Sequence, residues 1–161
     1  MTVAEYNTCV DQFADSLYRF VVKNCRNQDM AHDVVQDTFE KLWLKVSQIE
    51  YTTVKSYLFT AAYHTMIDAI RKDKKHADIT EENHHHYQTQ SQYNDVKKVL
   101  DMALAKLPEI QRVAITLRDY EGYSYEEIGQ ITALTESQVK VYIYRARVFL
   151  KNYLVSLDSV I

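Results

Sequence analysis

Along residues 4–26 the apolar positions Tyr6, Val10, Phe13, Leu17 and Val21 recur in steps of four and three, which place them on one stripe of a helix. The polar run of Asn27, Gln28 and Asp29 interrupts that stripe, and Asp29 carries the kind of side chain that caps a helix start. A second stripe, Ala31, Val35, Phe39, Leu42 and Val46, predicts a helix over 30–46. After a short loop at 47–53, Leu58, Ala61, Thr65 and Ala69 share one face of a third helix over about 54–72. Three helices of this length can enclose a small core.

The pattern then stops. Residues 76–95 hold four acids, no Lys or Arg and almost no aliphatic side chains, too little apolar surface to offset the entropy of ordering. This predicts a flexible acidic linker between a domain at 1–75 and a second at 96–161. Helical spacing resumes at Val96, Val99, Leu100, Ala103, Leu104 and Leu107, and Pro108 suits the start of a further helix over 109–121. Gly122 is placed to end it in the left-handed conformation. Ser124 and Glu127 then form a capping box flanked by the hydrophobic pair Tyr123 and Ile128. Thr135 and Gln138 form another, flanked by Leu134 and Val139.

A helix of about two turns, roughly 125–132, must therefore end and reverse within a few residues, the dimension of a helix-turn-helix. The last helix keeps Val139, Ile143, Ala146, Leu150 and Tyr153 inward and leaves Ser137, Lys140, Val141, Tyr144, Arg145 and Arg147 on its other sides. Such side chains bond phosphates and base edges, and the N-terminal part of the second helix is what enters a major groove. The same spacing also fits a bundle helix whose basic residues form a solvated face.

Composition supports an all-α fold, because two glycines and one proline in 161 residues leave few breaks for tight turns. A net charge of −3 argues against a protein that coats DNA by bulk attraction. Positive charge is local, at 51–75 and 136–151. In the first of these, Arg71, Lys72, Lys74 and Lys75 accompany Tyr51, Tyr57, Phe59 and Tyr63. Cations beside aromatic rings suit unpaired bases, although aromatics at helical spacing also build cores and cations at a helix end suit its dipole. Residues 1–50 are net negative, and the helix bearing Asp29, Asp33, Asp37 and Glu40 also bears Gln36 and Trp43. That face is either solvated or a docking surface for a basic partner.

Cys9 and Cys25 are too few for a disulfide framework or a metal-ligand set, so both are expected to be reduced, buried or half-buried thiols. With no apolar run near the ~18 residues of a membrane span and no signal peptide at the N-terminus, a cytoplasmic protein without membrane insertion is expected. No nucleophile–base pair, glycine-rich phosphate loop or paired catalytic carboxylates stand out, so neither enzymatic activity nor a cofactor is expected. His84, His85 and His86, with His76 nearby, leave a metal-sensing alternative that no Cys or spaced carboxylate set completes. An autonomous helix-turn-helix regulator is the other alternative.

Taken together, the segments resemble the sigma-70 superfamily, specifically the extracytoplasmic-function (ECF) sigma factors. "AHDVVQDTFEKLW" (31–43) is similar to that family's A-x-D-x-V/L-Q-x-x-F-x-x-L-W segment at Ala31, Asp33, Val35, Gln36, Phe39, Leu42 and Trp43. "SYLFTAAYHTMIDAIRKDKK" (56–75) resembles the helix that follows, with Tyr57, Leu58, Ile67, Asp68, Ile70 and Arg71 in register. "LPEIQRVAITLRDYEGYSYEEIG" and "VKVYIYRARVFL" are similar to the C-terminal domain.

The resemblance implies a sigma2-like helical bundle, a sigma4-like helix-turn-helix domain and promoter-specific initiation with core RNA polymerase. It implies polymerase docking, on the β′ clamp helices, through Asp33, Gln36, Asp37, Glu40 and Trp43, with the β flap as a further contact. Tyr51, Tyr57, Tyr63, His64, Arg71 and Lys72 would hold the melted −10 strand. Ser137, Gln138, Lys140, Val141, Tyr144, Arg145 and Arg147 would read the −35 duplex. The linker would thread through polymerase, and an anti-sigma factor is an expected partner. Many relatives have Arg-Asn at the place of Tyr63 and His64, Arg at that of Tyr142 and Ala at that of Gly129, so promoter sequence does not carry over.

Overall fold

Thr2 starts the first helix through a reciprocal cap: its hydroxyl accepts from the Glu5 N–H at 3.1 Å while the Glu5 carboxylate accepts from the Thr2 N–H at 2.8 Å. The computed structural model describes residues 1–79 and 95–158, among which helices are the regular elements and no strand occurs. The chain divides into two compact units, Met1–Tyr87 and Gln88–Ile161.

In the first unit α1 spans Val3–Cys25, α2 spans Gln28–Leu44 and α3 spans Val54–Ile79, with a 3-10 turn at Tyr51–Thr53 just before α3. Each of the three helices packs against the other two. The cap of α2 is Asn27, whose side chain accepts from the Met30 N–H at 3.0 Å, and not Asp29. Arg26 takes the left-handed conformation (φ 56°) and closes α1, so two residues make the whole turn and α2 starts earlier than the apolar pattern suggested. Leu44 ends α2 before Val46.

Phe13, Leu17 and Val21 of the expected α1 stripe are buried, joined by Cys9 and Phe20, while Tyr6 and Val10 sit at its edge. In α2 the core takes Val34 in place of Val35. In α3 it takes Val54, Leu58, Phe59, Ala62, Met66 and Ile67, whereas Ala61, Thr65 and Ala69 are half-buried. A helix packed against two neighbours buries a wide arc, which a single-stripe reading shifts by one residue. Phe59 stacks obliquely on Phe20 with centroids 5.7 Å apart and is not available to bases. Cys9 is buried and Cys25 half-buried, both as free thiols.

The third helix continues to Ile79, past the position at which the acidic linker begins in the sequence reading. The rest of that segment to residue 94, with His84, His85 and His86, lies outside the described residues. The division of the chain after Tyr87 falls within the 76–95 stretch.

In the second unit α4 spans Asp95–Ala105, α5 Glu109–Ile115, α6 Tyr125–Thr132 and α7 Glu136–Asp158. Leu104, Leu107, Ile115 and Ala146 form a buried cluster against which Phe149 and Leu150 pack. Residues 109–121 do not form one regular helix. At Thr116–Tyr120 the backbone widens into a π-helical turn, closed by Glu121 N–H to Thr116 C=O at 3.1 Å and Tyr123 N–H to Leu117 C=O at 3.0 Å. Gly122, at φ +76°, then reverses the chain. Both capping boxes form: Ser124 with Glu127, each bond 3.1 Å, and Thr135 with Gln138 at 2.9 and 3.1 Å.

The turn between α6 and α7 explains Gly129. The Leu134 N–H bonds back to the Gly129 C=O at 3.0 Å, and Ala133 is left-handed at φ 60°. A Cβ on Gly129 would stand 2.7 Å from the Leu134 carbonyl oxygen, an atom of the backbone that cannot swing aside. Gly129→Ala should therefore destabilise this unit by about 1–2 kcal/mol despite the better helix propensity of alanine. Denaturant unfolding of the variant tests this; an unchanged midpoint would mean that the turn relaxes freely.

Candidate nucleic-acid and partner interfaces

On α2 the positions 33, 36, 37, 40 and 43 follow helical spacing on the side opposite the buried Ala31, Val34, Thr38 and Leu42. Asp33, Gln36 and Glu40 are exposed and Asp37 is half-buried. Trp43 is 47% exposed and Leu44 81% exposed at the C-terminal end of this face. The Trp43 ring is held edge-on to Tyr6 with centroids 5.0 Å apart, and the Tyr6 hydroxyl donates to the Phe39 carbonyl at 3.1 Å. An acidic stripe ending in a fixed, half-exposed indole is therefore a structural fact about α2.

A groove of about 660 Å³ runs between α2 and α3, with Asp29, Asp33 and Asp37 on one wall and Asp68, Lys72 and Asp73 on the other. Lys41 bridges it, 3.3 Å from Asp37 and donating to the Thr65 hydroxyl at 2.8 Å. Lys72 thus faces the acidic groove. Tyr57, His64 and Arg71, at steps of seven, instead line the outer side of α3, with Tyr57 half-buried and the other two exposed. Tyr63 lies to one side with its ring 5.3 Å from that of His64. Tyr51 is 38% exposed in the 3-10 turn leading into this face. Tyr57, His64 and Arg71 thus share one side of α3, Tyr51 leads into it, and Tyr63 and Lys72 lie on its two flanks, Lys72 on the one beside the groove.

On α7, Val139, Ile143 and Ala146 are buried and define the inner side. Ser137, Val141, Tyr144 and Arg145 occupy the outer side, with Tyr144 69% exposed and Arg145 exposed and without an ion pair among the described residues. Gln138 is engaged at the helix start, where its side-chain oxygen accepts from the Thr135 N–H. Lys140 and Arg147 lie on the flank that faces α6 and the π-helical turn. Lys140 pairs with Glu136 at 3.6 Å and sits 5.6 Å above the Tyr125 ring. Arg147 forms a two-pronged bond with Asp119 at 2.6 and 3.3 Å, and this partner raises the guanidinium's pKa.

Sequence reading missed Arg118, Asp119 and Tyr125. The Arg118 guanidinium lies 4.6 Å from the Tyr125 ring and donates to the Tyr123 carbonyl at 2.9 Å, so two cations flank one ring at the N-terminus of α6. The only signal for them was the pair of adjacent charges before Gly122. Helical periodicity assigns such charges to solvent, because it does not register a π turn. Among the described residues, no helix is long and apolar enough to cross a membrane, and no group of three His, Cys, Asp or Glu side chains could hold a metal ion.

Two family models match this chain, "Sigma-70 region 2" over residues 9–76 and "Sigma-70, region 4" over residues 97–150. The RNA polymerase sigma factor SigV of Bacillus subtilis is 32% identical over 86% of this chain and 84% of its own length. The ECF RNA polymerase sigma factor SigM of the same organism is 28% identical over 86% of this chain and 88% of its own. Among solved structures, the sigma factor RpoE of Bartonella quintana, in complex with the anti-sigma factor NepR, superposes with a TM-score of 0.82. It is 27% identical over 94% of this chain and 98% of that one. CnrH, in complex with the cytosolic domain of CnrY, shares the fold at a TM-score of 0.70 and 21% identity, over 94% of this chain and 88% of its own. The two matched regions and the all-α, two-unit fold agree with each other, and the chain belongs to the ECF group of the sigma-70 family: it is a promoter-recognising RNA polymerase sigma factor, a transcription initiation factor and not an enzyme.

Proposed function

We propose that the two units grip a promoter at two points while polymerase supplies most of the binding. A domain at 1–75 docks on the β′ clamp helices of core polymerase through Asp33, Gln36, Asp37, Glu40 and Trp43. Tyr51, Tyr57, Tyr63, His64 and Arg71 then hold the opened −10 strand, rings stacking on bases while the cations neutralise backbone. A domain at 96–161 contacts the β flap and reads the −35 duplex with Ser137, Val141, Tyr144 and Arg145. Lys140, Arg118 and Tyr125 supply phosphate contacts beside it. Residues 76–95 thread through polymerase between the two domains.

The single observation that supports this reading best is the exposed outer side of α7, unpaired among the described residues, directly after a capped two-turn helix, because it combines a groove-sized element with available donors. Acidic character elsewhere fits the same reading. A factor brought to DNA by polymerase does not need enough positive charge to bind a promoter alone, and its acidic α2 face suits a basic partner. The protein acts in the cytoplasm, and an anti-sigma factor holds it inactive.

Run-off transcription with reconstituted polymerase on genomic fragments is expected to give discrete start sites that depend on this protein. Labelled promoter DNA should bind tightly only when core polymerase is present. Tight, specific binding by the protein alone would favour an autonomous regulator instead.

A further inference from the structure

The bond between Arg147 and Asp119 joins residues 28 apart in sequence, one on α7 and one in the π-helical turn. The Nε and Nη2 edge of the guanidinium is matched to both carboxylate oxygens, and such a fork fixes direction as well as distance. Immediately beside it along α7 lies Ala146, fully buried in the cluster that contains Ile115, the last residue before the π turn. The apolar contact at Ala146 sets how closely α7 approaches. Apolar packing of Val139, Ile143 and Ala146 limits how far α7 can turn or slide but fixes no exact direction, whereas a small rotation or slide already breaks the two-pronged bond. The π turn makes the arrangement possible, since adjacent residues serve different helices: Arg118 faces Tyr125 of α6 and Asp119 faces α7.

We propose that Asp119 is a positioning residue for the duplex-reading helix: by holding Arg147 it sets the rotation of α7, so that Tyr144 and Arg145 face the groove while Arg147 itself contacts no DNA. Arg147 is thereby removed from the set of base and phosphate contacts in which its sequence position places it. The inference rests on the reading of α7 as the −35 reader. With side chains 48% and 39% exposed, the pair adds little to global stability, and its effect falls on orientation.

The test uses holoenzyme reconstituted with core polymerase, a promoter bearing the −35 element, and a salt titration of binding. Asp119→Ala and Arg147→Ala are each expected to weaken binding by about two- to fivefold, and the double variant no further, because both remove one contact. The salt slope should stay unchanged, since no phosphate contact is lost. The exchanged pair, Asp119→Arg with Arg147→Asp, should recover at least half of the loss. If Arg147 bound DNA, Arg147→Ala alone would weaken binding and flatten the salt slope, Asp119→Ala would strengthen binding by releasing the guanidinium, and the exchanged pair would be worst of all. That pattern overturns the proposal, as do single variants without effect. Arg145→Ala serves as the control. Loss of binding there with intact Asp119 variants rejects the clamp alone, whereas no loss there rejects α7 as the reader. Circular dichroism on every variant, with Asp119→Asn as the milder change, separates orientation from unfolding.

Discussion

Arg145→Ala is expected to weaken binding of the holoenzyme to its −35 element by about 1–3 kcal/mol, the cost of one base-directed arginine. The reason is positional. Arg145 stands on the outer side of α7, one residue before the buried Ala146, and is exposed and unpaired among the described residues. Its guanidinium is therefore not committed to the fold, unlike that of Arg147. Because a base contact carries sequence information, the loss should concentrate at one base pair of the element and vanish when that pair is already substituted. Lys140→Ala should behave differently. Lys140 lies on the α6 flank over Tyr125 and pairs with Glu136, which suits a phosphate and not a base edge. Its loss should weaken binding to all promoters alike and lower the salt slope by roughly one. Measuring affinities over a panel of single-base −35 variants at several salt concentrations distinguishes the two patterns. Wild-type transcription from both variants would remove them from the site.

What could be read from sequence was what depends on neighbours along the chain. Both capping boxes around α6 and α7 form as their residues dictate, because the groups involved lie three positions apart and need no tertiary partner. Gly122 ends its segment in the expected left-handed conformation for the same reason. Errors arose where packing against two neighbours decides. Val34 and not Val35 enters the core, and of the aromatics for which sequence left base stacking and core packing both open, Phe59 is buried against Phe20. The candidate site shows the same division. Residue types on the outer face of α7 were legible, but the diversion of Arg147 to Asp119 depends on a contact 28 residues away. The close approach at Gly129 is likewise invisible in composition, which records only an unfavourable residue inside a helix.

Trp43→Ala should be the most damaging single change on the proposed polymerase-docking face, lowering affinity for core polymerase by about 2–4 kcal/mol, or roughly 30- to 1000-fold. A half-exposed indole is costly for an isolated protein to display, and here it is held in place: Tyr6 packs edge-on against it and is itself tethered to the Phe39 carbonyl. Tryptophans so placed dominate interface energetics because they bring much apolar area with little entropy to lose. The flanking carboxylates act on a different quantity. Asp33→Ala combined with Gln36→Ala should also impair competition for core, with the charge lost at Asp33 expressed mainly as slower association and weaker salt dependence. Competition against another sigma factor for limiting core polymerase, with association rates at low and high salt, measures both. Tyr6→Phe keeps the edge-on ring while removing the hydroxyl that bonds Phe39, and should compete nearly as well as the parent protein. If it fails as badly as Trp43→Ala, the effect belongs to the fold of the first unit. If Trp43→Ala and the Asp33, Gln36 double variant both compete normally, polymerase docks elsewhere, and the acidic stripe of α2 is a solvated face.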